Sequence, residues 1–207
     1  AFRQLGWSAV AVVHPVAFNT PIPMAGLPED KTQWRVLVLV SDWEGVSQQR
    51  REDAALVDTI AVYQGLTRMG VPGAHIEVKF HFTPIASDLK MRYAIFERLR
   101  KSYNMEFCIV DPVCKPREIL SDYSLAIIGP TTGILEAVFE GVPFVFFGPG
   151  LDRIGLLRGY PIPQARTSQE LIDILNRYDQ DAMRGVYADI SRSVKAGISI
   201  TEAVSSS

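Results

Sequence analysis

Three short runs set the strongest limit on the fold: Val36-Leu37-Val38-Leu39-Val40, Leu125-Ala126-Ile127-Ile128 and Phe144-Val145-Phe146-Phe147 are apolar at every position. A strand with one wet face alternates apolar and polar side chains. A strand without alternation has both faces covered, the usual state of a parallel sheet between two helical layers. Two further strands are expected at 76–80 and 107–110, and the apolar spacing predicts helices over 51–69, 87–103, 116–121, 132–140, 168–178 and 180–195. Gly70 with Pro72 and Gly141 with Pro143 mark helix stops, and Thr167-x-x-Glu170 marks a start. This alternation predicts an α/β fold, a doubly wound parallel sheet with helices on both faces. Ligands of such sheets bind beyond the carboxyl ends of the strands, so candidate chemistry falls in the loops after Val40, Phe80, Val110, Ile128 and Phe147.

Composition narrows the partners. The 207 residues carry 21 Lys and Arg against 23 Asp and Glu, a net charge of −2, without the basic excess that nucleic-acid binding requires. Cys108 and Cys114 are too few for a disulfide framework and fit a reducing compartment. With no signal-like N-terminus and no run approaching about 18 apolar residues, the chain is expected in the cytoplasm. Pro21, Pro23, Gly26 and Pro28 make 19–33 a linker. It separates 1–18, expected as the remnant of an N-terminal domain, from a main domain at 34–180, with a C-terminal helix and tail at 181–207.

The stretch from Ser121 to Pro143 is the richest in chemistry. Its strand ends at Ile128, the turn Gly129-Pro130-Thr131-Thr132-Gly133 opens a helix, and Gly141 closes it. The unpaired N–H groups of Thr132, Gly133 and Ile134, with the helix dipole behind them, suit a phosphate, and the hydroxyls of Thr131 and Thr132 add donors. Glu136 comes one turn later, where a carboxylate can accept both hydroxyls of a ribose. The same residues also read as ordinary capping, with Glu136 a first-turn acid favoured by the dipole.

Glu136-Ala137, Gly141, Pro143 and Phe144-Val145-Phe146-Phe147 resemble, in order and spacing, the donor-nucleotide signature of the GT-B glycosyltransferases. The order of elements over 34–178 is similar to the Rossmann-like C-terminal half of such an enzyme. The resemblance implies ribose binding by Glu136 and phosphate binding by Thr131, Thr132 and Gly133. Retaining members of the class often carry an acid eight positions before the ribose glutamate. Ile128 stands there, which points to an inverting or otherwise divergent enzyme.

Other candidates lie at neighbouring strand ends. Alternation puts Lys79 and His81 on one face, where a cation and an imidazole can neutralise a donor phosphate. Lys79-Phe80-His81-Phe82-Thr83-Pro84 resembles the Lys-x-His-Pro element of bacterial capsule-type transferases, with Pro84 displaced from its place. A structural histidine is an equal reading for His81, and His75 lacks neighbouring ligand residues, so no metal site is expected. Asp42 and Glu44, in Ser41-Asp42-Trp43-Glu44-Gly45, suit either an acid/base pair or a solvated turn, and with His81 they are the catalytic candidates. Asp111-Pro112-Val113-Cys114 is by itself a proline-bounded loop. The GT-B resemblance implies that Val113 and Cys114 there offer backbone groups to a nucleobase.

The resemblance thus implies a glycosyltransferase that moves a sugar from a nucleotide-sugar substrate to a glycan or lipid-linked acceptor in polysaccharide or lipopolysaccharide assembly, with no cofactor or metal in this domain. Its catalytic base would come from an N-terminal GT-B domain across the cleft, largely missing from these residues. Lipid-linked acceptors add peripheral association with the inner membrane face. Two alternatives use the same frame: a non-hydrolysing UDP-sugar 2-epimerase-like enzyme, and a non-catalytic nucleotide-binding or interaction domain.

Overall fold

The computed structural model describes residues 23–40, 48–80, 86–129, 131, 133–149, 151 and 157–205, with backbone alone at 48–57, 86–88 and 195–205. Among them, β1 (Val36–Val40), β2 (Ile76–Phe80), β3 (Cys108–Ile109), β4 (Leu125–Ile128), β5 (Phe144–Phe147) and β6 (Gln164–Ala165) form one sheet in the order β3-β2-β1-β4-β5-β6. Every pairing is parallel. The helices are α1 (Gln48–Arg68), α2 (Ala86–Tyr103), α3 (Pro116–Ile119), α4 (Gly133–Phe139), α5 (Ser168–Asn176) and α6 (Gln180–Ser205). This is the doubly wound α/β fold, and its strand order reverses between β1 and β4, the crevice where such sheets bind ligands. β6 is a strand beyond the five expected: two residues between Pro163 and Arg166 are too few to show a period. β3 is shorter than expected, although Val110 still donates to the carbonyl of Val78 at 3.0 Å.

The period of two divides each central strand between two cores. Leu37, Leu39, Ala126, Ile128, Phe144 and Phe146 pack with Ile134 and Val138 of α4 and with Met183, Val186 and Ile190 of α6. Val36, Val38, Leu125, Ile127, Val145 and Phe147 pack with Val62 and Leu66 of α1, Phe96 and Leu99 of α2, and Leu171 and Leu175 of α5. Phe144 and Phe146 have no exposed surface, and burial of each such side chain contributes roughly 1.5–3 kcal/mol. Residues 183–194 therefore share the core of 34–180. So does Met24, and Ala25 donates to the Gly141 carbonyl at 2.7 Å, so the end of the proline-rich stretch lies against the sheet domain.

β2 departs from this rule in a way that shapes the site. Ile76, Val78 and Phe80 enter the α1/α2 core, but Glu77 and Lys79 point to the opposite face. That face is covered by the return segment 111–123 from β3 to β4. Tyr123 donates to Glu77 Oε2 at 2.8 Å, Arg35 contacts Glu77 Oε1 at 3.1 Å, and the Arg35 guanidinium lies 5.1 Å from the Tyr123 ring centroid. These contacts pin the segment at the amino end of β2, while Lys79 pins it at the carboxyl end.

Candidate functional site

Lys79 is 5% exposed, and its Nζ donates to the carbonyl of Pro112 at 3.0 Å. Burial lowers its pKa, against the opposing pull of Cys114, Glu136 and Asp111, which all lie close enough to favour the ammonium. Glu136, on the first turn of α4, accepts the backbone N–H of Arg117 on Oε2 at 2.8 Å. Burial raises its pKa, opposed by the Arg117 N–H and then by Lys79. Each charge thus favours the other's ionised form without closing an ion pair. One ammonium donor is engaged and Oε2 is engaged. Among the described residues, the other ammonium protons and Oε1 remain for a ligand between them.

This pair sits beside the turn that follows β3. Val113 donates its N–H to Asp111 Oδ1 at 2.9 Å, and Cys114 donates to the Asp111 carbonyl at 3.2 Å. Val113 is 63% exposed at the tip. The backbone N–H groups of both residues implied to read a base are therefore engaged within the turn. Asp111 and the Arg117 N–H belong to this site although their residue types gave no reason to select them. The sequence signal available was an Asp ahead of Pro, the usual start of a side-chain-closed turn.

At the start of α4, the N–H groups of Thr131 and Gly133 are less open than the sequence suggests. The Gly133 N–H lies 3.4 Å from Thr131 Oγ1, and the Thr131 N–H donates to Gly129 O at 2.7 Å. A methyl group on Gly133 would come within 2.9 Å of Leu39 Cδ1, so glycine here lets α4 approach β1. Ile128, eight positions before Glu136, is fully buried in β4 and offers nothing to a ligand. The remaining candidates Asp42, Glu44, His81 and Thr132 lie outside the described residues.

Among the described residues, no group of three or more His, Cys, Asp or Glu could hold a metal ion, and no helix is long and apolar enough to cross a membrane. A separate cavity of about 480 Å³ is lined by residues including Pro161, Pro163, Ile174, Tyr178 and Met183. The Tyr178 hydroxyl bonds Phe144, the first residue of β5. That cavity therefore lies at the amino ends of the strands, away from Lys79 and Glu136.

No family model and no curated protein matches the chain. Among solved structures it is similar to HepE of Anabaena in complex with UDP-glucose, at 15% identity and a TM-score of 0.48 over 86% of this chain and 50% of that one. It is also similar to the C-terminal domain of LpcC, a glycosyl transferase group 1 family protein of Francisella tularensis, at 12% identity and 0.45 over 88% and 96%. A third likeness is to the GtfA/B complex, at 11% identity and 0.47 over 90% and 38%. The chain is like all three in overall fold alone. It spans half the length of HepE.

Proposed function

We propose that this chain is the donor-binding half of a glycosyltransferase. It would hold a nucleotide-sugar for transfer to a glycan or lipid-linked acceptor in cytoplasmic polysaccharide or lipopolysaccharide assembly. The observation that carries the reading is the pairing of Lys79 with Glu136. Lys79 comes from the end of β2 and Glu136 from the first turn of α4, each close enough to favour the other's charge yet short of an ion pair. An ammonium on one side and a carboxylate on the other match the two polar parts of a nucleoside phosphate. Lys79 would take the phosphate, and Glu136 Oε1 the ribose hydroxyls.

In this reading the bond from anomeric carbon to phosphate breaks, and negative charge grows on the departing phosphate. Lys79, already desolvated and oriented by Pro112, stabilises that charge more than the ground state. Glu136 fixes the ribose and so the position of the phosphate. No cofactor or metal is invoked in this domain. The general base would be supplied by a second domain facing the sheet, and the absence of an acid at Ile128 favours inversion at the anomeric carbon.

A thermal-shift panel of nucleoside mono- and diphosphates tests the reading, since a ligand at 100 times its Kd adds about 2.7 kcal/mol of stability. At least one nucleotide should raise the Tm, and Glu136→Ala should remove the rise. No shift with any nucleotide would favour a non-catalytic interaction domain instead. Robust transferase activity from these 207 residues alone would place the catalytic base within this chain and overturn the two-domain assignment.

A further inference from the structure

From Pro112 to Glu118 the backbone presents no open hydrogen-bond donor. Pro112 and Pro116 have no N–H. Val113 and Cys114 donate to Asp111, Lys115 donates to Glu118 Oε2 at 3.2 Å, Arg117 donates to Glu136, and Glu118 donates to Lys115 O at 2.9 Å. The acceptors are not used up in the same way. Among the described residues, the carbonyls of Val113 and Cys114 and the second carboxylate oxygen of Asp111 are left without a donor. The other donors on this stretch are the weak one of the Cys114 thiol and the long exposed side chains of Lys115 and Arg117, whose ordering carries an entropy cost.

This wall adjoins Glu136, because Arg117 holds its Oε2. A ribose on Oε1 would therefore carry its base along the turn. Uracil has a single N–H flanked on both sides by carbonyl oxygens, so it meets one carbonyl of the turn only by bringing its own oxygens against the neighbouring acceptors. Cytosine, adenine and guanine each carry an exocyclic amino group whose N–H can meet a carbonyl. We infer that the 111–117 turn selects nucleotides with an amino-bearing base over uridine nucleotides, and that Asp111 sets this preference by occupying the Val113 N–H. This rests on the nucleotide-binding reading above. Asp111 is a positioning residue here, since its effect on the base passes through the turn.

The test is calorimetric titration of the whole chain with CMP, AMP, GMP and UMP. At least one amino-bearing nucleotide should bind with a Kd about tenfold below that of UMP. If it is CMP, a cytidine monophosphate analogue lacking the 4-amino group should lose the same factor. Asp111→Ala opens the Val113 N–H as a donor and should narrow the gap to UMP to about twofold, whereas Asp111→Asn, whose side-chain oxygen can still accept that bond, should preserve it. UMP binding as tightly as every amino-bearing nucleotide overturns the inference and leaves the nucleotide reading standing. An unchanged gap in a folded Asp111→Ala variant removes Asp111 from the account. Binding of none of the four sinks both readings, and the wild-type comparison decides even if Asp111→Ala does not fold.

Discussion

Asp58 shows how a single carboxylate in this sheet can work against stability. It lies on α1 close to the turn that closes β5, where a methyl group on Gly148 would sit 3.6 Å from its Oδ2. Burial pushes its pKa up to about 6 from 3.8. Below about pH 4 both folded and unfolded chains hold the proton. Between about 4 and 6 the folded chain keeps a proton that the unfolded chain has lost, so stability falls as pH rises through that window and then levels off. In a dry site the loss would reach roughly 3 kcal/mol, and the solvent that reaches Asp58 lowers it to about 1 kcal/mol. Denaturant melts should therefore show Asp58→Asn matching the wild type at pH 3.5 and exceeding it by about 1 kcal/mol at pH 7. Glu136→Gln tests a different balance. The amide oxygen still accepts the Arg117 N–H, so the fold should be no less stable, while nucleotide affinity should fall about tenfold with the lost charge. Equal losses in Tm and affinity would show that Glu136 serves the fold alone.

The contact between α4 and β1 is the element-scale feature that sets the site's geometry. Gly133→Ala places a methyl group 2.9 Å from Leu39 Cδ1 and should cost about 1–3 kcal/mol. Adding Leu39→Ala should make the Gly133→Ala change nearly free, which a double-mutant cycle reads directly. Most of the elements are legible in the residues alone. β1, β4 and β5 show through unbroken apolar runs, α1 and α2 through their apolar spacing, and α5 through Thr167, whose hydroxyl accepts the Glu170 N–H at 3.2 Å. The exception is β6, which exists because the edge of β5 offers hydrogen bonds to whatever passes, a tertiary fact that a two-residue strand cannot encode. α6 is legible as a helix, but its burial is not. Only the packing shows that Tyr187 stacks on Phe144 at 5.6 Å and donates to Val142 O. Tyr187→Leu should lower the Tm without changing nucleotide affinity, because these contacts lie at the amino end of β5.

At the scale of the molecule, two readable residues become a site through one crossover. Lys79 and Glu136 can be chosen from the sequence, one at a strand end and the other a turn into a helix. That each lies close enough to favour the other's charge depends on the 111–123 return segment, whose course no local pattern reveals. The same limit applies to the turn itself, where Val113 and Cys114 are recognisable by place but the engagement of their N–H groups follows only from the Asp111 side chain and carbonyl. The central claim is that the Lys79–Glu136 gap holds a nucleoside phosphate. The most direct measurement is a crystal structure of the chain grown with whichever nucleoside diphosphate stabilises it most. Phosphate oxygens within hydrogen-bond distance of Lys79 Nζ and a ribose hydroxyl on Glu136 are the expected result. A nucleotide lodged instead in the cavity between Pro163 and Tyr178, with Lys79 and Glu136 untouched, would contradict it.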